Sequence, residues 1–275
     1  MANFGQYESE VTFISGVDDA NKVAPKTYYT YAEDVPPTYK LVSEAIKWGS
    51  ATPGTAGGTV KYSFDAASNW SNLEKMVFEG AFSFWSGLAN ITFSLADDAA
   101  ASNIAIKRGT DGKAFATFNF QATVPVGSDT ILQARPDGGA YISVDTKPDD
   151  FGPITADSNA GGGFVWSTLI HEVGHIAGLG HAGPYNFTVN TQQQQFGVYD
   201  TRLWSVMSYI SPGDTKTTYY GNYPVHTNWG TPATGGEYVP LSPQMLDILA
   251  VQRLYGASTN DTFGGNQTFG FNSSF

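Results

Sequence analysis

The chain has 275 residues, of which 14% are charged, and it carries a formal charge of -11 with 14 Lys and Arg spread along its length. No basic stripe could follow a phosphate backbone, which argues against nucleic-acid binding, and no apolar run is long enough to span a bilayer. Cysteine is absent, which removes disulfide scaffolding and thiol catalysis, and the length allows one large domain or two small ones.

Met1 to Glu10 lacks a basic segment followed by an apolar core, so it does not read as a secretory signal. Residues 1–36 carry Tyr28, Tyr29 and Tyr31, end in prolines and show no sustained period. They read as a propeptide or a strap over the core, and equally as an extension packed by its own aromatics. A helix is predicted over 38–48, with Leu41, Val42, Ala45, Ile46 and Trp48 on one face and Gly49 ending it.

Residues 59–64 alternate in character after a Gly-rich turn, as a strand does. A long helix over 71–88 opens on a Ser71 and Glu74 capping box, with Leu73, Met76, Val77, Ala81, Phe84, Trp85 and Leu88 as its core stripe. Short strands follow at 91–95, 103–107, 113–120 and 141–145, separated by Asp, Gly and Pro turns. The next helix begins near Phe164, after three glycines, and Phe164, Trp166, Leu169, Ile170, Val173 and Ile176 root it in the core.

That helix opens a segment with three of the four histidines, His171-Glu172-Val173-Gly174-His175-Ile176-Ala177-Gly178-Leu179-Gly180-His181. At about 3.6 residues per turn, His171 and His175 stand one above the other, and Glu172 lies about 100° round the helix, beside the open side of an ion held between them. Continued helix would carry His181 roughly 15 Å along the axis from His171, so the chain must turn. Gly178 is placed to allow the turn through a positive φ, and Gly180 is expected to keep the next segment pliable. Three nitrogens with one position left for water is the arrangement of a catalytic zinc site, whereas structural sites are closed by four ligands. His226 reads as a loop residue.

The chain is loop-rich over 180–235, includes a glutamine tract at 192–195 that reads as solvated surface, and contains Ser205-Val206-Met207-Ser208-Tyr209. A last helix is predicted with Ser242 as N-cap, Pro243 in its first turn and Gly256 past its end. Strands precede helices, which indicates an α+β domain with a cleft between the halves.

The long histidine motif followed by a methionine turn resembles the metzincin metallopeptidases. The form Ser205-Val206-Met207-Ser208-Tyr209, with the segment Leu246-Asp247-Ile248-Leu249-Ala250-Val251-Gln252-Arg253-Leu254-Tyr255-Gly256, is similar to the serralysin family within them. Ala182 follows the third histidine where serralysins usually carry proline.

The resemblance implies an α+β metzincin-like zinc peptidase domain over 37–257, with a twisted, mostly parallel sheet, an antiparallel edge strand, packed helices and a cleft above a loop-rich C-terminal half. It implies Zn2+ on His171, His175 and His181, Glu172 as general base, and Tyr209 as a further ligand that stabilises the oxyanion; the alternative for Tyr209 is a buried ring near Met207. Met207 is expected as an apolar floor beneath the ligands. A protein or peptide substrate would lie extended along an edge strand through Ala114, Phe115 and Ala116, or that segment is a plain core strand.

Serralysins continue into calcium-binding Gly-rich repeats, absent here, so 258–275 read as the start of a connection to a further domain, or the chain is a member lacking the repeats; Ca2+ is a second candidate ion. Implied too are a monomer, a protein inhibitor as candidate partner, and release from a bacterium or display at its surface by a type I route. The competing reading is a catalytically silent zinc-containing surface or matrix-binding module of the same fold.

Overall fold

The computed structural model describes residues 7–25, 27–28, 44–118, 130–133, 139–218 and 239–259. Its centre is a five-stranded sheet built from β2 (Gly58–Phe64), β3 (Ile91–Leu95), β4 (Ile104–Arg108), β5 (Ala114–Thr117) and β7 (Ala140–Val144). The spatial order is β3-β2-β4-β7-β5. All neighbours are parallel except β5, which runs antiparallel to β7 with Ala114 opposite Val144 and Thr117 opposite Tyr141. Two further strands, β1 (Glu44–Lys47) and β6 (Thr130–Gln133), form a separate parallel pair.

Strand alternation puts Val60, Tyr62, Ile104, Ile106, Ile142 and Val144 into the core. Helix α2 (Asn72–Leu88) connects two parallel neighbours, β2 and β3, as a parallel pair requires. Its predicted capping box is present: Ser71 Oγ accepts from the Glu74 N–H and the Glu74 carboxylate accepts from the Ser71 N–H. The buried face is turned by about one residue from expectation. Phe78 and Phe82 are buried beside Val77, Ala81 and Trp85, whereas Leu73 and Met76 stay exposed. The two phenylalanines bury more apolar area than Leu73 and Met76 would, and that difference decides which face turns inward.

Behind β7 come α3 (Ala156–Asn159) and α4 (Gly163–Ile176), the helix that carries the histidine motif. Trp85 of α2 donates its indole N–H to the Ile170 carbonyl of α4 at 3.0 Å, fixing the two helices together. Phe164, expected in the core, is 48% exposed. Short α5 (Thr191–Gln194) and the last helix, α6 (Met245–Tyr255), complete the helices used below.

Three expectations need correction. The helix predicted over 38–48 is overturned where it is described: 44–47 form β1, and 38–43 lie outside the described residues. Ala45, Ile46, Lys47 and Trp48 are all buried, and a short strand covered on both faces has no alternation to reveal it. Lys47 tolerates this because its ammonium donates to the Trp48 and Thr55 carbonyls at 3.1 and 2.8 Å and lies over the Tyr255 ring. The strand expected over 113–120 is shorter, ending at Thr117, with 119–120 outside the described residues. The last helix starts later than expected, with Gln244 and Asp247 forming the capping box and Ser242 accepting from the Gln244 amide. Asp247, at the third helical position, accepts the Gln244 N–H, which makes Gln244 the cap.

The N-terminal helix α1 (Glu8–Ser15) is part of the core. It buries Val11, Phe13 and Ile14, and Glu8 takes both arms of the Arg253 guanidinium from α6 at 2.6 and 2.8 Å. His226, Tyr29, Tyr31 and most of 258–275 lie outside the described residues.

Candidate metal centre and cleft

Helix α4 stops where the motif demands it. Gly178 takes φ 94°, its N–H donates to the His175 carbonyl, and the Leu179 N–H donates back to Gly174 at 3.1 Å. A Cβ on Gly178 would also fall 2.3 Å from the Ile46 carbonyl oxygen, because β1 packs against the turn. Gly180 has a different role from the one expected. It has no positive φ, and a Cβ there would sit 2.3 Å from Tyr28 Cβ, so it makes room for Tyr28 rather than lending pliability. Its N–H donates to Ile14 of α1.

The turn brings His181 back to the helix. Its Nε2 lies 3.2 Å from His171 Nε2 and 3.0 Å from His175 Nε2. Each Nδ1 meets a backbone carbonyl at 2.8 Å: Val206 for His171, Leu179 for His175 and Tyr185 for His181. A carbonyl can only accept, so every Nδ1 carries the hydrogen and every Nε2 presents a lone pair. Three lone pairs converging at this spacing repel one another unless a cation sits among them. Ligands about 2.0–2.1 Å from a tetrahedral zinc would be about 3.3 Å apart, so the donor set fits that ion.

Burial keeps the imidazoles neutral. It pushes His175 down to about 4, and burial with the charge of His175 pushes His171 down to about 3. His181 is held well below its ordinary value, again mainly by burial. The three form the metal-binding group among the described residues.

Glu172 is 4% exposed, and its Oε2 has no hydrogen-bond partner among the described residues. Burial raises its carboxyl to about 8. Both cavities of the cleft, about 530 and 310 Å³, are lined by Glu172, Tyr209, Ala114 and Phe187. The Tyr209 ring centroid is 4.5 Å from that of His181 and 5.7 Å from that of His171. Burial first, and then the nearby Glu172 charge, push its phenol up, so the hydroxyl keeps its hydrogen.

Met207 is fully buried against α4 at Gly174. A Cβ on Gly174 would be 2.7 Å from its sulfur and 3.0 Å from the Trp85 ring, which explains a glycine between the two helical histidines. Ala114, Phe115 and Ala116 sit on β5 at the sheet edge and line the smaller cavity with His175 and His181. The three histidines, Glu172, Tyr209, Ala114, Phe115 and Ala116 therefore line the two cavities, with Met207 packed beneath at Gly174.

Four supporting residues were not foreseen. Asp247 accepts from Ser205 Oγ at 2.6 Å and from the N–H groups of Val206 and Gln244 at 2.7 Å, tying the methionine turn to α6. Asp200 accepts from the Tyr185 and Ser208 hydroxyls at 2.6 and 2.8 Å. Tyr185 in turn accepts the Tyr209 N–H at 3.2 Å and offers its carbonyl to His181. Tyr28 packs edge-on to His181 at 4.8 Å and walls the smaller cavity. The Gln-x-x-Asp spacing at 244–247 could have flagged Asp247 as a cap; nothing local announces Asp200 or Tyr185, and Tyr28 lies in the segment read as a propeptide, a strap or a packed extension.

No protein-family model matches the chain. Metalloprotease AprA of Pseudomonas entomophila is 29% identical over 212 residues, 75% of this chain and 38% of that protein. Serralysin of Proteus mirabilis is 30% identical over 209 residues, 74% of this chain and 38% of that protein. The chain thus spans about two fifths of the length of these curated relatives. Among solved structures, high choriolytic enzyme 1, a hatching-enzyme zinc protease from medaka, overlaps at a TM-score of 0.39 and 15% identity over 76% of this chain and 94% of that one, too loosely to add weight. On the likeness to AprA and serralysin over three quarters of its length, together with its three-histidine group, the chain is a serralysin-like metzincin catalytic domain.

Proposed function

We propose that this domain is a zinc-dependent endopeptidase that cleaves proteins or peptides. The observation that carries the reading is the convergence of three neutral imidazoles beside a buried carboxylate oxygen that no described residue satisfies. A zinc ion held there supplies Lewis acidity and lowers the pKa of water from about 15.7 to about 7.

The chain's own residues do the rest. Glu172, protonated readily in its buried position, takes the proton of the attacking water and passes it to the leaving nitrogen as the peptide bond breaks. Tyr209 keeps its hydroxyl hydrogen and donates it to the oxyanion that develops on the carbonyl. The exposed side of β5 at Ala114, Phe115 and Ala116 accepts an extended peptide by strand addition, small side chains permitting close approach. Residues 37–257 form the catalytic domain, and the segment through Tyr28 stays with it as a wall of the cleft. Release from a bacterial cell belongs to the same reading; no described helix is long and apolar enough to cross a membrane.

The test is Glu172→Gln. The variant should bind one zinc per chain as wild type does and lose about 100-fold to 10,000-fold in turnover of an unfolded protein substrate. Near-normal turnover would remove Glu172 from the mechanism.

A further inference from the structure

Phe187 combines three features that folding does not explain. The Thr188 N–H donates to the Asn186 carbonyl at 2.7 Å, closing a three-residue turn with Phe187 at its centre at φ 63°. That turn is a strained conformation for a residue with a large side chain. The ring it presents is 57% exposed. It stands on the cleft rim, where it lines both cavities, and the Lys113 ammonium at the head of β5 lies 4.7 Å from its centroid.

A strained backbone and an exposed aromatic ring both cost stability, and such costs persist where the residue is used. The mounting is rigid. Tyr185, two residues earlier, is fully buried and bonded to Asp200, and Asn186 Oδ1 accepts the Phe187 N–H at 3.1 Å. Lys113 steadies the ring through a cation–π contact without covering it. The larger cavity beside it is also lined by Phe151 and Phe164, stacked with centroids 5.9 Å apart, so an apolar group leaving Phe187 meets further aromatic surface.

We propose that Phe187 is a specificity-determining residue, a fixed aromatic platform against which a large apolar side chain next to the scissile bond packs. An extended peptide on β5 that passes Glu172 and Tyr209 must pass this ring, since the same four residues border both cavities. The substrate class it selects is a peptide with leucine or an aromatic residue beside the cleaved bond. This inference rests on the endopeptidase reading for its meaning, though its test does not.

The experiment compares matched peptides that carry leucine or alanine beside the bond. It measures kcat and KM for wild type and Phe187→Ala, and the affinity of the same peptides for zinc-loaded Glu172→Gln with and without Phe187→Ala. Wild type should prefer the leucine peptide about tenfold or more in kcat/KM, and Phe187→Ala should collapse that ratio to about twofold or less, mainly through KM. The affinity ratio should collapse in the same way, with zinc stoichiometry unchanged and melting temperature held or raised, most of all in Phe187→Gly. An unchanged leucine-to-alanine ratio, a uniform gain for all peptides, or a fall in melting temperature would overturn the proposal. Should wild type cleave neither peptide, the endopeptidase reading fails while the affinity ratio still decides the role of Phe187.

Discussion

Glu172 is the residue at which site and stability are most openly opposed. In the zinc-free protein its folded carboxyl titrates near 8 against an ordinary 4.5 because it is buried. A folded value above the unfolded one gives a contribution to stability that is fully present below pH 4.5 and is lost as pH rises through about 8. Glutamine has the same shape and no charge to bury. Zinc-free Glu172→Gln should therefore match wild type near pH 4.5 and exceed it by about 3 kcal/mol near pH 7, as read by urea denaturation in chelator. A gap that does not widen with pH would place the carboxylate in a more polar setting than described.

At the same scale, the three histidines were legible because their spacing is itself the chemistry, whereas Met207 and Tyr209 were singled out only through the resemblance to a methionine turn. Gly180 was legible as a necessary glycine, but its reason was not. The cause is Tyr28, 152 positions away in sequence and invisible to any local pattern.

Between elements, the decisive contact is Asp247 at the start of α6. Its carboxylate holds the Ser205 hydroxyl and the Val206 N–H, and Val206 supplies the carbonyl that fixes the His171 tautomer. Removing it leaves buried donors without an acceptor, which is more costly than losing one ordinary hydrogen bond. Asp247→Ala should lower stability by about 3 kcal/mol or more and weaken zinc binding, measured by denaturation and by competition with a chromophoric chelator. Unchanged zinc affinity would separate the methionine turn from the ligands.

Elements with strong local signals were read well. The α2 capping box and the β3 span over 91–95 need only their own residues. By contrast, β1 read as a helix because a strand buried on both faces loses its period, and even Lys47 within it is buried. The start of α6 is set by Gln244 and Asp247, a local spacing that the Ser242–Pro243 pair upstream overshadowed.

Across the whole molecule, the sheet and helices serve to bring four distant segments to one cleft: the α4 helix, its glycine turn, the methionine turn and the β5 edge. The mostly parallel sheet with one antiparallel edge matches the expected architecture, because that topology follows from the resemblance carried by two motifs. The sequence left the N-terminal segment open between a propeptide or strap over the core and an extension packed by its own aromatics. That segment closes the molecule through the Glu8 and Arg253 pair and through Ile14 and Tyr28 on the glycine turn. Glu8→Ala would leave the Arg253 guanidinium buried without its carboxylate, with an expected loss of about 3 kcal/mol by thermal or urea denaturation. A loss below about 0.5 kcal/mol would mark α1 as an adornment of the domain.

The most direct measurement of the central claim is cleavage of an unfolded protein by the purified chain, before chelation, after it, and after zinc is restored at one ion per chain. The account predicts cleavage that disappears with the metal and returns with it. A protein that binds one zinc through His171, His175 and His181 and cleaves no unfolded substrate would contradict it and favour a silent zinc-containing module.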